Sequence, residues 1–312
     1  MHFVRFAALL VAAPALAAKQ PPPPPLPPLV LDAAVPIVTV TIDGQPLRLR
    51  VDPGTTRHVE LNAAAARRLD LANPARIVGG KPVDHGHTTT QVGKVTVRAV
   101  TSDEILGYAG RELPLTLAWS DKDPVTGADG LIGPWMLPHN LIRLVYRPTT
   151  PNDRLTHLPM RWSSDRGLLG EAVVGNDRID VTIVPSAPET IATAAAASRL
   201  AAAHGGRLTG PRRDAVIALG AVRPVRDVVF ATSVDIAGIR LYRVAARVFD
   251  WSGRTNIPDA DIAPGEAVVA GRADNQRQWP KLAIGNDHLG ACAEIAWQRT
   301  PLAIDLVCPA LP

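Results

Sequence analysis

An internal repeat constrains this chain more than any other feature. An offset of 132 residues carries Leu47, Leu49, Val51 and Pro53 onto Ile179, Val181, Ile183 and Pro185. In both copies apolar and polar residues alternate after a turn-forming pair, Asp43-Gly44 in the first and Gly175-Asn176 in the second. Period-two alternation beside such a pair is the pattern of a β-hairpin with one buried face. With one residue dropped, Ala63-Ala64-Ala65-Ala66-Arg67-Arg68-Leu69 corresponds to Ala194-Ala195-Ala196-Ala197-Ser198-Arg199-Leu200, and both runs favour helix. Trp119-Ser120 recurs as Trp251-Ser252. Each half then closes on two apolar residues, a glycine and a later leucine: Leu131-Ile132-Gly133 with Leu137, and Ala283-Ile284-Gly285 with Leu289. Four echoes in one order imply that a unit of hairpin, short helix, further strands and closing Gly strand occurs twice. The expected fold is all-β with short helices.

The Gly- and Pro-punctuated tract from Arg147 to Gly170 divides the repeat into residues 29–150 and 151–312. Within the second half, His204–Arg213 is polar, basic and broken by Gly and Pro, which predicts an exposed loop. Ala215–Leu219 reads as a short strand and Asp227–Val248 as a hairpin, with extra residues at Asn256–Trp279. Ahead of the repeat, a basic Met1–Arg5, an apolar Phe6–Ala13 and the small-residue site Ala15-Leu16-Ala17 form the pattern of a secretory leader, residues 1–17. The apolar run is too short to span a bilayer, and no later one is long enough, so no transmembrane anchor is expected. Residues 18–28 are dominated by proline, which predicts an extended, stiff spacer.

These features point to a secreted or periplasmic protein. Its two cysteines, Cys292 and Cys308, lie equally far from Thr300. A hairpin folding at Thr300 would set them opposite each other, and an oxidising compartment would join them. They lack the spacing of a metal or redox pair. The net charge of +4 is scattered and aromatics are 4% of the chain, so nucleic-acid binding is not expected. His85-Gly86-His87 with Asp84 offers two imidazoles but no third ligand, which predicts a solvated loop over a cleft and no metal. Gly285-Asn286-Asp287 predicts the start of a short helix with Asn or Asp as its cap.

Val51-Asp52-Pro53-Gly54-Thr55-Thr56, followed by the Ala-rich helix and Arg68-Leu69-Asp70-Leu71, resembles the active-site segment of retropepsin-like aspartic peptidases. Those proteins carry Asp-Thr-Gly-(Ala/Ser/Thr)-(Ser/Thr) at a strand end before a helix. Gly130-Leu131-Ile132-Gly133 fits their later apolar-apolar-Gly segment, and the duplication extends the resemblance over both halves. It implies two β-barrel lobes, an interlobe cleft for a peptide or protein, a monomer, and no cofactor. It also implies that Asp52 is catalytic. Gly54 would allow backbone to approach it, the Thr55 hydroxyl would hold it, and Gly133 would support the loop. Such chemistry uses two carboxylates around one water, one of them protonated.

The sequence departs from that pattern twice. Pro53 replaces a Thr and has neither hydroxyl nor N–H. The counterpart of Asp52 in Val184-Pro185-Ser186 is Val184, which cannot ionise. Asp-Pro-Gly-Thr is also ordinary turn chemistry. Three readings stay open: an exported aspartic peptidase using Asp52, weak or inactive for want of the second Asp; a non-catalytic relative binding an extended peptide or envelope component; and a structural envelope protein. The offset predicts Val184 across the cleft from Asp52, with no other carboxylate within about 3.2 Å. Glu189 and Asp84 are acids whose approach to Asp52 would restore a pair.

Overall fold

The computed structural model describes residues 24, 26–92, 95–163, 166–250 and 279–310. The leader, most of the proline tract, Trp251-Ser252 and nearly all of Asn256–Trp279 lie outside them. The first half contains β1 (Leu29–Asp32), β2 (Ile37–Ile42), β3 (Gln45–Val51), β4 (Val59–Leu61) and helix α1 (Ala63–Arg68). It continues through β5 (Ile77–Val78), β6 (Lys81–Pro82), β7 (His85–Val92), β8 (Val95–Tyr108), β9 (Arg111–Trp119), β10 (Gly130–Ile132) and β11 (Leu141–Val145). The second half opens with β12 (Asp153–Pro159), β13 (Arg161–Ser163), β14 (Gly167–Val174), β15 (Asp177–Ile183), β16 (Ile191–Thr193) and helix α2 (Ala194–His204). It closes with β17 (Arg207–Ala218), β18 (Ala221–Ile236), β19 (Ile239–Arg247), β20 (Lys281–Ile284), α3 (Asn286–Leu289), β21 (Glu294–Gln298) and β22 (Ala303–Pro309). The fold is thus mostly β. Among the described residues no helix is long and apolar enough to cross a membrane.

Alternation drives the strands. Val38, Val40 and Ile42 on β2 and Leu47, Leu49 and Val51 on β3 are buried, and the turn between them sits at positive φ at both Asp43 and Gly44. The first-half sheet has the order β2-β3-β10-β4-β9-β8-β7, and the second-half sheet β13-β14-β15-β20-β16-β19-β18-β17. Apart from the added edge strand β13, the two orders match strand for strand. Polarity matches too: β3 with β10 and β4 with β9 are parallel, as are β15 with β20 and β16 with β19. A third sheet, β1-β11-β21-β22-β12, draws strands from both halves and crosses the 150/151 division. One buried cluster joins Leu47, Leu49 and Val51 to Ile179, Val181, Ile183 and Trp297.

Register refines the repeat. Leu131 stands opposite Arg50 and Glu60, while Ala283 stands opposite Thr182 and Ile191. Glu60 therefore corresponds to Ile191, 131 residues on. The Thr55 and Ala187 amides still make equivalent bonds at 132, to the Asp52 and Val184 carbonyls. The dropped residue consequently lies between Ala187 and Ile191, ahead of the helix caps Asn62 and Thr193. Trp119 stands opposite Leu61, and the matching partner of Ala192 is Ala246, so the Trp-Ser echo does not follow the pairing.

Other expectations need correction. His204–Arg213 is not a loop beyond the end of α2, because β17 begins at Arg207 and runs along the sheet edge, bulged between Thr209 and Arg213. The joining tract from Arg147 holds β12 and β13. Helix α3 has Gly285 as its cap residue, with no side-chain cap. The C-terminal hairpin is one register off: Glu294 pairs with Val307, because its turn centres between Thr300 and Pro301. The disulfide Cys292–Cys308 still forms, since Cys292 lies in the bend before β21. The end of the proline tract is docked rather than free. Leu26 N–H donates to Pro138 O at 2.8 Å, and His139 Nδ1 lies 2.6 Å from Pro27 O.

Candidate functional site

Two equivalent loops meet where β3 and β15 end. The Asp52 amide donates to Ile132 O at 3.0 Å, and the Val184 amide to Ile284 O at 2.9 Å. Asp52 is 1% exposed. Its Oδ1 accepts the Gly54 amide at 2.6 Å, and its Oδ2 accepts the Ser186 amide, from the other half, at 2.8 Å. A side chain at Gly54 would stand 2.8 Å from Asp52 Oδ1 and 3.0 Å from both Val184 methyls, so only glycine fits. The non-ionisable Val184 thus faces the Asp52 loop. Behind the loops, a Cβ on Gly133 would strike Thr55 O, and one on Gly285 would strike the Glu189 and Ala187 backbone.

The Thr55 side chain is buried, yet no hydrogen bond joins its hydroxyl to Asp52 among the described residues. Its carbonyl accepts the Trp135 indole at 3.3 Å. Burial raises the Asp52 pKa above the ordinary carboxylate value, while Ser186, the Gly54 amide and Arg50 pull it down.

A second acid shares the site, and it is neither Glu189 nor Asp84. Glu189 is ion-paired with Arg213, and Asp84 lines a separate hollow beside Asp103 and Glu104. The second acid is Glu60 on β4, which lines the same cavity as Asp52. Loss of water, and then the charge of Asp52, push Glu60 up to about 7, while the Leu219 amide donates to it and pulls the other way. No hydrogen bond joins the two carboxyls among the described residues. Arg50 lines the cavity beside them, its Nε buried without a partner among the described residues. Tyr146, beyond β11, has a similarly unpaired hydroxyl, and burial and Asp52 both raise its pKa.

The β17–β18 tip covers part of this cavity through Ile217, Leu219 and Gly220, and the β7–β8 hairpin packs against that tip from outside the lining. The β7–β8 tip and the β17–β18 tip pack together through Val92, Val97 and Ala221, with Ile217 and Leu219 against them. Gly220 holds φ +69° and lies so close to Lys122 and Asp123 that a Cβ would meet the Lys122 Cβ at 2.7 Å. The cavity volume is about 350 Å³, and it opens to solvent. His85 and His87 belong to strand β7, not to a solvated loop, and His85 Nε2 lies 2.6 Å from Leu71 O. No cluster of three metal-ligating side chains occurs among the described residues.

Ser186 was within reach of sequence reasoning, since the offset of 132 places it on Gly54. Glu60 was not: it sits between Val59 and Leu61, both core residues, where alternation points its side chain to solvent. No protein-family model matches the chain, and no curated protein matches it.

Proposed function

We propose that this is an exported protein of retropepsin-like build, two curled sheets around a cleft, that binds an extended peptide or envelope component without cleaving it. The observation that carries this reading is the state of Asp52. Both its oxygens accept backbone amides, one from each half, and the methyls of Val184 face its loop where the family would place a second Asp. A carboxylate so engaged ties two loops together. Peptide hydrolysis by a water needs one carboxyl as base and another as acid on the same water. The second-half loop supplies none. The leader pattern and the Cys292–Cys308 disulfide support export, and the internal pairing of two repeats supports a monomer.

A second reading is favoured by Glu60. Two carboxyls with raised pKa values in one cavity form a recognisable acid–base arrangement. On that reading Asp52 activates water and Glu60 is the acid. One experiment separates the two: cleavage of a peptide library by the mature protein, with Asp52→Asn and Glu60→Gln beside it. The binding reading expects no fragments from any of the three. The hydrolytic reading expects fragments from wild type alone, with a pH limb near the Glu60 value.

A further inference from the structure

We infer that the second-half end of the cavity is a carboxylate-binding subsite, where the Lys281 ammonium, backed by Arg247, receives an acidic side chain or the C-terminal carboxylate of a bound peptide. The peptide in this statement rests on the binding reading above; the carboxylate does not.

The first-half wall of the cavity carries both signs, Arg50 among its acids, while the charged residues lining the second-half wall are cations alone among the described residues. Asp52 and Glu60 line its first-half wall, and Lys281 and Arg247 its second-half wall. Lys281 is fixed by its backbone. Its amide donates to Thr193 Oγ1 at 3.0 Å, and that hydroxyl donates to Trp279 O at 2.8 Å. The ammonium stands 5.0 Å from the centre of the Trp279 ring and makes no hydrogen bond or ion pair among the described residues. Its cross-strand neighbour Asp180 is the obvious partner and is taken: Arg161, Arg166 and the Trp279 indole all bond to it. Arg247 is held by Asp250 through its Nε at 2.8 Å, and Asp250 also accepts from Arg223.

An ammonium drawn from water beside a second cation is costly unless an anion joins it. Loss of water and then Arg247 lower its pKa to about 8, against the pull of Asp180, so it is charged at neutral pH, and no carboxylate pairs with it among the described residues. The register places Lys281 and Ala283 on one face of β20, so a chain lying past Ala283 towards Asp52 would bring a terminal or side-chain carboxylate to Lys281. The small Ala283, in the position that Leu131 fills in the first half, leaves room for it.

The test uses N-acetyl-glutamate N-methylamide and its glutamine counterpart, titrated into the full mature protein by calorimetry. The glutamate compound should bind at least about tenfold more tightly, as a charge-assisted hydrogen bond to a partly buried ammonium implies. Lys281→Met, which keeps the stem on Trp279, should erase the difference, and Lys281→Arg should retain it. Equal binding of the two compounds by wild type, or no binding of either, overturns the subsite whether or not the Met variant folds. Longer peptides with free or amidated C-termini then separate side chain from terminus as the source. Peptides bound without preference for acids would leave the cleft reading standing and the subsite refuted. Binding of the glutamate compound with no peptide bound would do the reverse.

Discussion

At Asp52 a single carboxylate accepts amide hydrogens from its own loop and from the loop of the other half. Asp52→Ala would leave both donors unpaired in the interior, at a cost of about 2–4 kcal/mol by urea denaturation near neutral pH. Asp52→Asn keeps one acceptor and the shape, and should stay closer to wild type. Equal stability of Asp52→Ala and wild type would remove Asp52 as a clamp. Glu60 gives a pH signature of definite sign. Its folded pKa is raised from 4.5 to about 7, so the folded state holds the proton more tightly than the unfolded chain. Its contribution is therefore full below about pH 4.5 and is lost as pH rises towards 7, by up to about 3 kcal/mol. Glu60→Gln should match wild type at the acid end and exceed it above pH 7. A difference that does not change with pH would place Glu60 in water. This residue marks the limit of what the sequence reveals: Val59 and Leu61 on either side of it are buried in the core, but the face opposite that core is cleft here rather than solvent. Only the register beside Leu131 tells the two apart.

At the scale of elements, the glycines behind the loops test the repeat. A Cβ on Gly133 would press on Thr55 O and the Trp135 ring, and one on Gly285 on the Glu189 backbone. Gly133→Ala and Gly285→Ala should each lower stability by about 1–3 kcal/mol, the usual cost of overpacking. An effect at one site alone would break their equivalence. The Cys292–Cys308 bridge closes a span of 16 residues, and replacing both cysteines with serine should cost about 3 kcal/mol in urea. The hairpins flanking Asp43-Gly44 and Gly175-Asn176 were legible because turn chemistry and period-two alternation agree there. The end of β17 from Ala215 was legible too, but its first part was not, because Gly210 and Pro211 read as loop punctuation. Both are accommodated by the bulge of an edge strand, where a missing N–H breaks no inner ladder. The one-residue error at the C-terminal hairpin came from centring the turn on a residue. A four-residue turn has its centre between two.

At the scale of the molecule, two sheets of matching order both contribute residues to one cavity, and the β17–β18 tip covers part of it. Duplication was legible in the sequence through the hairpin, the Ala-rich helix and the closing Gly strand, while the Trp-Ser echo did not follow the pairing. The shared third sheet was not, because β1, β11, β12, β21 and β22 come from segments far apart in the chain, and short apolar strands do not reveal their partners. The meeting of Glu60 and Lys281 in one cavity was equally hidden, since they are more than two hundred residues apart. Holding a peptide and leaving it intact is the behaviour proposed for this site. It is tested most directly by incubating the purified mature protein with a broad peptide library from about pH 4 to about pH 8, the range over which carboxyl chemistry would show its optimum. Retained and cut species are then counted together by mass spectrometry. The expected outcome is a retained set of intact peptides and no new fragments. Fragments that appear with wild type and vanish with a folded Asp52→Asn variant would contradict it.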